Sequence, residues 1–153
     1  MASVTTTFVP GTAYQTHIET SGLTLTGDEP VASGGDGEGP SPYEFLLAAL
    51  GHCTVLTMIL YARRKAWQID NVAVRGTFER IVTGDPVAGR TRTERITQEI
   101  SLSGPLSEDQ RARILEIAHK CPVHRTLAKG LEIVTLDASD DIVLVSQQKG
   151  RSA

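Results

Sequence analysis

From Phe45 to Ala62 the chain holds no Asp, Glu, Lys or Arg, and apolar residues fall on every face of the helix this run implies. A surface helix shows one apolar stripe, whereas a helix that is apolar all round is a buried one. Ser41 fits its N-cap, Pro42 its first turn, and Glu44, three residues after Ser41, completes a capping box. Arg63-Arg64-Lys65 suit the negative end of the helix dipole. The pattern therefore predicts a buried central helix over 41–66, with Leu50 and Leu56 in the core.

The flanking periodicities differ. Residues 1–40 read as strand and turn, with Tyr14–Thr20 and Leu23–Gly27 joined by Ser21-Gly22 as a hairpin. The glycine-rich loop Gly34–Pro40 reads as a flexible approach to the helix; it lacks Lys and holds two acids, so it is no phosphate cradle. Ile69–Val82 predicts a strand with Val72, Val74 and Phe78 on one face. Thr83-Gly84-Asp85-Pro86 turns. Thr93–Leu102 then places Ile96, Ile100 and Leu102 opposite Arg95, Thr97, Glu99 and Ser101. Ser107–Gln110 is a second capping box, opening a helix striped by Ala112, Leu115 and Ala118, with Ile114 and Ile117 beside them. Pro122 ends that helix at Cys121, because the residue before proline leaves the helical region. A short helix from Pro122 to Lys129 closes at Gly130. Leu131–Leu136 reads as a strand, and Ile142–Val145 as another. The fold class is α+β in a single domain: N-terminal strands and glycine loop (1–40), central helix (41–66), strands and second helix (67–137), and a C-terminal extension (138–153).

Composition changes this picture in two places. A length of 153 residues, 40% hydrophobic and 22% charged, fits one globular unit, and a net charge of -3 argues against a dedicated nucleic-acid binder. Residues 1–62 carry six acids and no Lys or Arg. Any arginine serving a group in that first third must come from later in the chain or from a partner. Two cysteines are too few for a disulfide-built secreted scaffold, and Met1–Thr6 lacks the regions of a signal peptide. The uncharged run would span only about 27 Å as a helix and contains Gly51, His52, Thr54 and Thr57. A soluble, cytoplasmic protein without membrane or nucleic-acid partners is expected.

The candidate chemistry lies in those cysteines. Cys53, mid-helix, has the plain reading of a small buried hydrophobe. Cys121 opens a short helix whose N–H groups favour a thiolate, and His119, Lys120, His124 and Arg125 surround it in sequence. If the helices meet, His52, Cys53, His119, Cys121 and His124 also compose a zinc ligand set, although the Cys-x-x-Cys knuckle of structural sites is absent.

Ser-Pro-Tyr-Glu-Phe-Leu-Leu-Ala-Ala-Leu-Gly-His-Cys-Thr (41–54), Tyr-Ala-Arg-Arg-Lys-Ala-Trp (61–67) and His-Lys-Cys-Pro-Val-His-Arg-Thr-Leu (119–127) together resemble the OsmC family, in its branch with a Cys-Pro-Val-His motif. The resemblance implies an intertwined α+β homodimer, with β-meanders around central helices buried between the subunits. In peroxidase members the first cysteine attacks an organic hydroperoxide and the second resolves the sulfenate as a disulfide. By position these are Cys53 and Cys121. Small dithiols, notably lipoyl groups, then reduce the disulfide, and no cofactor is implied. Two departures bear on this. The peroxidases carry glutamate directly after the helix-opening proline, where this chain has Tyr43 and places Glu44 one residue later. They also hold the thiolate with an arginine from before or beside the helix, which residues 1–62 lack. Glu44 is thus either the helix cap or a catalytic partner. Tyr43, His52, His124 and Arg125 are candidate binding residues, and His52, Arg80, His124 and Arg125 are candidate cations for Cys53. The alternative function is a non-catalytic dimer holding a small thiol or acyl ligand in an apolar pocket.

Overall fold

The computed structural model describes residues 2–83 and 91–137. Strands β1 (Thr5–Phe8), β2 (Thr16–Thr20) and β3 (Leu23–Gly27) form an antiparallel sheet in that order. Thr20 pairs with Leu23 across the two-residue Ser21-Gly22 turn, as the hairpin reading requires. After the long helix α1 (Pro42–Arg64) come β4 (Asn71–Thr83) and β5 (Thr91–Ser103), paired antiparallel over their length, then α2 (Glu108–Ala118) and α3 (Pro122–Lys129).

The glycine loop is built, not loose. Asp28 is buried, and its carboxylate accepts N–H bonds from Glu29 at 2.8 Å, Asp36 at 3.1 Å and Glu38 at 3.1 Å. A Cβ at Gly35 would sit 2.0 Å from the Glu29 carbonyl oxygen, and one at Gly39 would sit 2.3 Å from that of Thr26. These glycines let the backbone close around one acid, which corrects the expectation of a flexible approach. Burial alone would raise the Asp28 pKa, but the N–H groups of Glu38, Glu29, Asp36 and Gly37 outweigh it and leave it lowered. A carboxyl lowered by folding lends stability that is fully present above its unfolded value, about 3.9, and is lost as pH falls through the folded one. Asp28→Asn is expected to lower Tm by several degrees at neutral pH, with the gap to the native protein narrowing in parallel melts as pH falls below the unfolded value.

The core lies where α1, α2 and the β4–β5 sheet meet, with Met58, Ala62, Leu102, Ile114 and Ala118 buried together. On the sheet, Val72 faces Leu102, Val74 faces Ile100 and Phe78 faces Ile96, so both predicted inner faces coincide. In α2 the buried side is Ile114, Ile117 and Ala118, while Ala112 is exposed; the stripe sits one position away from the expected one. Both ends of its capping box are made, Gln110 N–H to Ser107 Oγ at 3.2 Å and Ser107 N–H to Gln110 Oε1 at 3.0 Å. The helix stops at Ala118, earlier than Cys121, because His119 caps it before Pro122 acts.

Two expectations need correction. Within this chain α1 buries one stripe, Leu50, Thr54, Met58 and Ala62, while Leu56 and Leu60 are 44% and 49% exposed. The helix is long and apolar enough to cross a membrane, but here it packs on β4, α2 and α3. Leu131–Leu136 is not a strand: Leu131, Ile133, Val134 and Leu136 are exposed, and no described strand pairs with them. An isolated extended segment has no ladder to join. The Gly84–Pro86 part of the expected turn, the Ile142–Val145 strand and the extension over 138–153 lie outside the described residues.

Candidate functional site

The two cysteines meet. Cys53 is half-buried on the shoulder of α1, between its buried stripe and its open face, while Cys121 is fully buried. Cys121 is the N-cap of α3, where Pro122 at the first helical position directs the helix away and leaves the first-turn N–H groups free. The His124 N–H reaches Cys121 Sγ at 3.5 Å, and the Val123 N–H bonds to Cys53. The two thiols are free, and their side chains lie close enough to influence each other.

This setting divides the pair. Burial pushes the Cys53 thiol up, and its bond to Cys121 and the charge there push it further, against weaker help from Val123 and Thr57. Burial also opposes ionisation of Cys121. There it is outweighed by hydrogen bonds from Cys53, the His124 N–H, Thr54 and the Val123 N–H, which bring that thiol below its ordinary value.

Thr54 and Gln98 were not among the expected site residues. Thr54 is fully buried and bonds to the Leu50 carbonyl at 2.9 Å, while Gln98 Nε2 donates to its hydroxyl at 3.2 Å. The sequence carried a signal: Gln98 interrupts the inward run Ile96, Ile100, Leu102 with a polar residue. Gly76, its cross-strand neighbour, makes the approach possible, since a Cβ there would press 3.2 Å from Leu47.

The remaining candidates are dispersed. The Glu44 carboxylate accepts from the Ser41 N–H at 2.8 Å and hydroxyl at 2.7 Å; these two bonds hold it lowered. It lies nine residues from Cys53 along α1, about 13 Å of helix. Tyr43 stacks on Phe78 at 4.1 Å, and Arg80 donates to its hydroxyl at 2.9 Å and to Glu94 at 3.2 Å. Arg80 is therefore committed at the start of α1, about 15 Å of helix from Cys53. His52 and Arg125 are exposed, and the half-buried His124 meets His119 edge to face at 5.7 Å. Among the described residues no three His, Cys, Asp or Glu side chains gather as metal ligands, so the zinc set is not assembled within this chain.

A cleft of about 560 Å³ is walled by Tyr43, Leu46, Phe78, Ile96, His119 and Leu127; neither cysteine lines it. Gln98 and His124 belong both to this cleft and to the hydrogen bonds around Cys121.

No curated protein matches the sequence. Solved structures share the fold. An OsmC-like protein from Mycoplasma pneumoniae is 21% identical, with 84% of this chain and 87% of that one covered at a TM-score of 0.63. An organic hydroperoxide resistance protein OsmC from Legionella pneumophila is 20% identical, covering 80% and 87%, at 0.55. The organic hydroperoxide resistance protein OhrB of Bacillus subtilis is 18% identical, covering 82% and 88%, at 0.54. The family model for OsmC-like proteins matches residues 35–135, which take in both cysteines and the whole central helix, and the chain belongs to that family.

Proposed function

We propose that this protein is a thiol-dependent peroxidase that reduces small organic hydroperoxides through Cys53 and Cys121. The observation that carries this reading is the contact between two free thiols, one half-exposed and one buried at a helix N-terminus. Cys53 is the one a substrate can reach, so it attacks the peroxide; Cys121 is already placed to resolve the sulfenate as a disulfide. Structures named for organic hydroperoxide resistance share the fold, which supports peroxide chemistry at the level of the family. A dithiol of lipoyl type closes the cycle, and the cytoplasm is the compartment that keeps both thiols reduced. The largely apolar cleft favours bulky hydroperoxides over hydrogen peroxide.

The working unit is a homodimer. Leu56 and Leu60 on the open face of α1, together with the exposed apolar segment from Leu131 to Leu136, make a surface that a second copy would cover. His52 and Cys53 flank that face, so a partner would complete the site and bring the cation that the described residues do not place beside Cys53. Sedimentation at micromolar concentration is expected to show one dimeric species.

A second reading, a binding module for a small thiol or acyl ligand, is favoured by one observation. Arg80 and Glu44 are both engaged far from Cys53. Turnover separates the two. With dithiol and cumene hydroperoxide supplied, the native protein is expected to consume peroxide, slowly but measurably, and Cys53→Ser to fall to background. A native rate no higher than that of Cys53→Ser leaves only the binding module.

A further inference from the structure

We infer that the cleft between α1, β5 and α3 is a second binding site, apart from the two cysteines, for an amphipathic monocarboxylic acid. The apolar body of the acid lies along the cleft, and its carboxylate sits at His119 and His124. The cleft holds about 560 Å³, a volume typical of small-molecule sites. It follows β5 from Glu94 to Ile100, about 20 Å of strand. Its middle is apolar, formed by Leu46, Leu50, Phe78, Ile96 and Leu127. The two ends differ in charge. At the Glu94 end the charges are already matched: Glu94 pairs with Arg80 at 3.2 Å, and Arg95 with Glu79 at 3.6 Å. Arg80 also donates to the Tyr43 hydroxyl at 2.9 Å and lies over the Tyr43 ring, itself stacked on Phe78. A locked aromatic stack without net charge suits the tail of a ligand.

At the Ile100 end the walls are His119 and His124, edge to face at 5.7 Å. Among the described residues no side-chain hydrogen bond or ion pair engages either imidazole. Glu94 is the one carboxylate lining the cleft, and it stands at the far end, so nothing lining this end repels an anion. An imidazole donates a hydrogen bond in either protonation state, and two of them at one gap match the two oxygens of a carboxylate. The charged and titratable groups around the pair are Glu116 and Lys120 on α2, which pair with each other at 3.4 Å, Cys121 and the exposed Arg125 at α3, and Tyr43, Glu94 and Arg95 along the cleft. Binding should therefore tighten as pH falls through the range in which imidazoles charge, about 6–7. On the side of the cysteines the cleft is closed by Gln98, whose Nε2 donates to the buried Thr54 hydroxyl at 3.2 Å. With no thiol lining the space, the acid is held and not consumed. The inference gives the binding-module reading a ligand at a separate place, and it does not depend on peroxide turnover.

The test is calorimetric titration of the reduced native protein with decanoate, kept below its micellar range. Saturation at one acid per chain is expected, at least about 5-fold tighter at about pH 6 than at about pH 8. Decanoate should bind about 10-fold more tightly than octanoate, since it buries two more methylenes. At the lower pH, decanol and decyltrimethylammonium should bind at least about 10-fold more weakly than decanoate, because neither makes a charge-assisted bond to an imidazole. Replacing both histidines, His119→Gln with His124→Gln, keeps donors that cannot charge and should remove the pH dependence. Where that variant fails to fold, the ring-nitrogen shifts of His119 and His124 in the native protein report the same contact on adding decanoate. Ala128→Trp places a large ring at an exposed position of the wall and should abolish binding, with circular dichroism confirming the fold. Cys53→Ser should bind decanoate as the native protein does. No saturable binding by the native protein, the result expected if a second copy fills the cleft, overturns the inference. Binding that survives in Ala128→Trp, is lost in Cys53→Ser, or is no weaker for decyltrimethylammonium overturns it as well. Decanoate binding without peroxide consumption would count against the peroxidase reading alone, with the site upheld.

Discussion

Leu50→Asp is expected to give no folded protein at neutral pH, whereas Leu56→Asp should fold in its secondary structure and fail to self-associate. The two residues lie six apart in the same uncharged run, and the sequence gives no reason to treat them differently. The structure does. Leu50 is 3% exposed within its own chain, so an aspartate there is an unpaired buried charge. The effective cost is several kcal/mol, against a total stability of about 5–15 kcal/mol for a typical domain. Leu56 is 44% exposed and becomes core only if a second copy covers it. Circular dichroism reports the first effect and sedimentation the second. A Leu56→Asp protein that sediments like the native one would show that the open face of α1 is not the interface.

Met58→Ala should lower stability by about 2–5 kcal/mol, read from the urea midpoint at fixed protein concentration. Met58 is fully buried and sits at the junction of α1, α2 and β5, packed with Ala62, Leu102, Ile114 and Ala118. Truncation there removes contacts to three elements at once. Two of its neighbours are already alanines, which leaves little side chain to move into the gap. Ile114→Val, a one-methylene change in the same cluster, should cost about 0.5–1.5 kcal/mol. A Met58→Ala loss no larger than that of Ile114→Val would mean that the core is centred elsewhere.

Local chemistry decided what the sequence determined by itself. The start of α1 is written in Ser41, Pro42 and Glu44, that of α2 in Ser107 and Gln110, and that of α3 in Cys121-Pro122, because capping depends on residues within one turn. The alternation in β4 and β5 fixed both inner faces, since side chains in a strand point to opposite sides in turn. The motifs around Cys53 and Cys121 likewise pointed to the family that the match over residues 35–135 shows.

What the tertiary structure decided were questions of partnership. Hydrophobicity says that a residue should be covered, not which surface covers it; hence α1 read as buried all round, although this chain covers one stripe. The same reasoning made a strand of Leu131–Leu136, which needs a ladder that no described strand provides. The glycine loop looked loose because its organiser, Asp28, precedes it, and only folding shows backbone N–H groups closing on that carboxylate. The division between the cysteines was the least legible feature of all. A thiol's proton affinity depends on which groups lie beside it in space, and those beside Cys121 come from α1 and the first turn of α3, elements far apart in the chain that only packing brings to one sulfur.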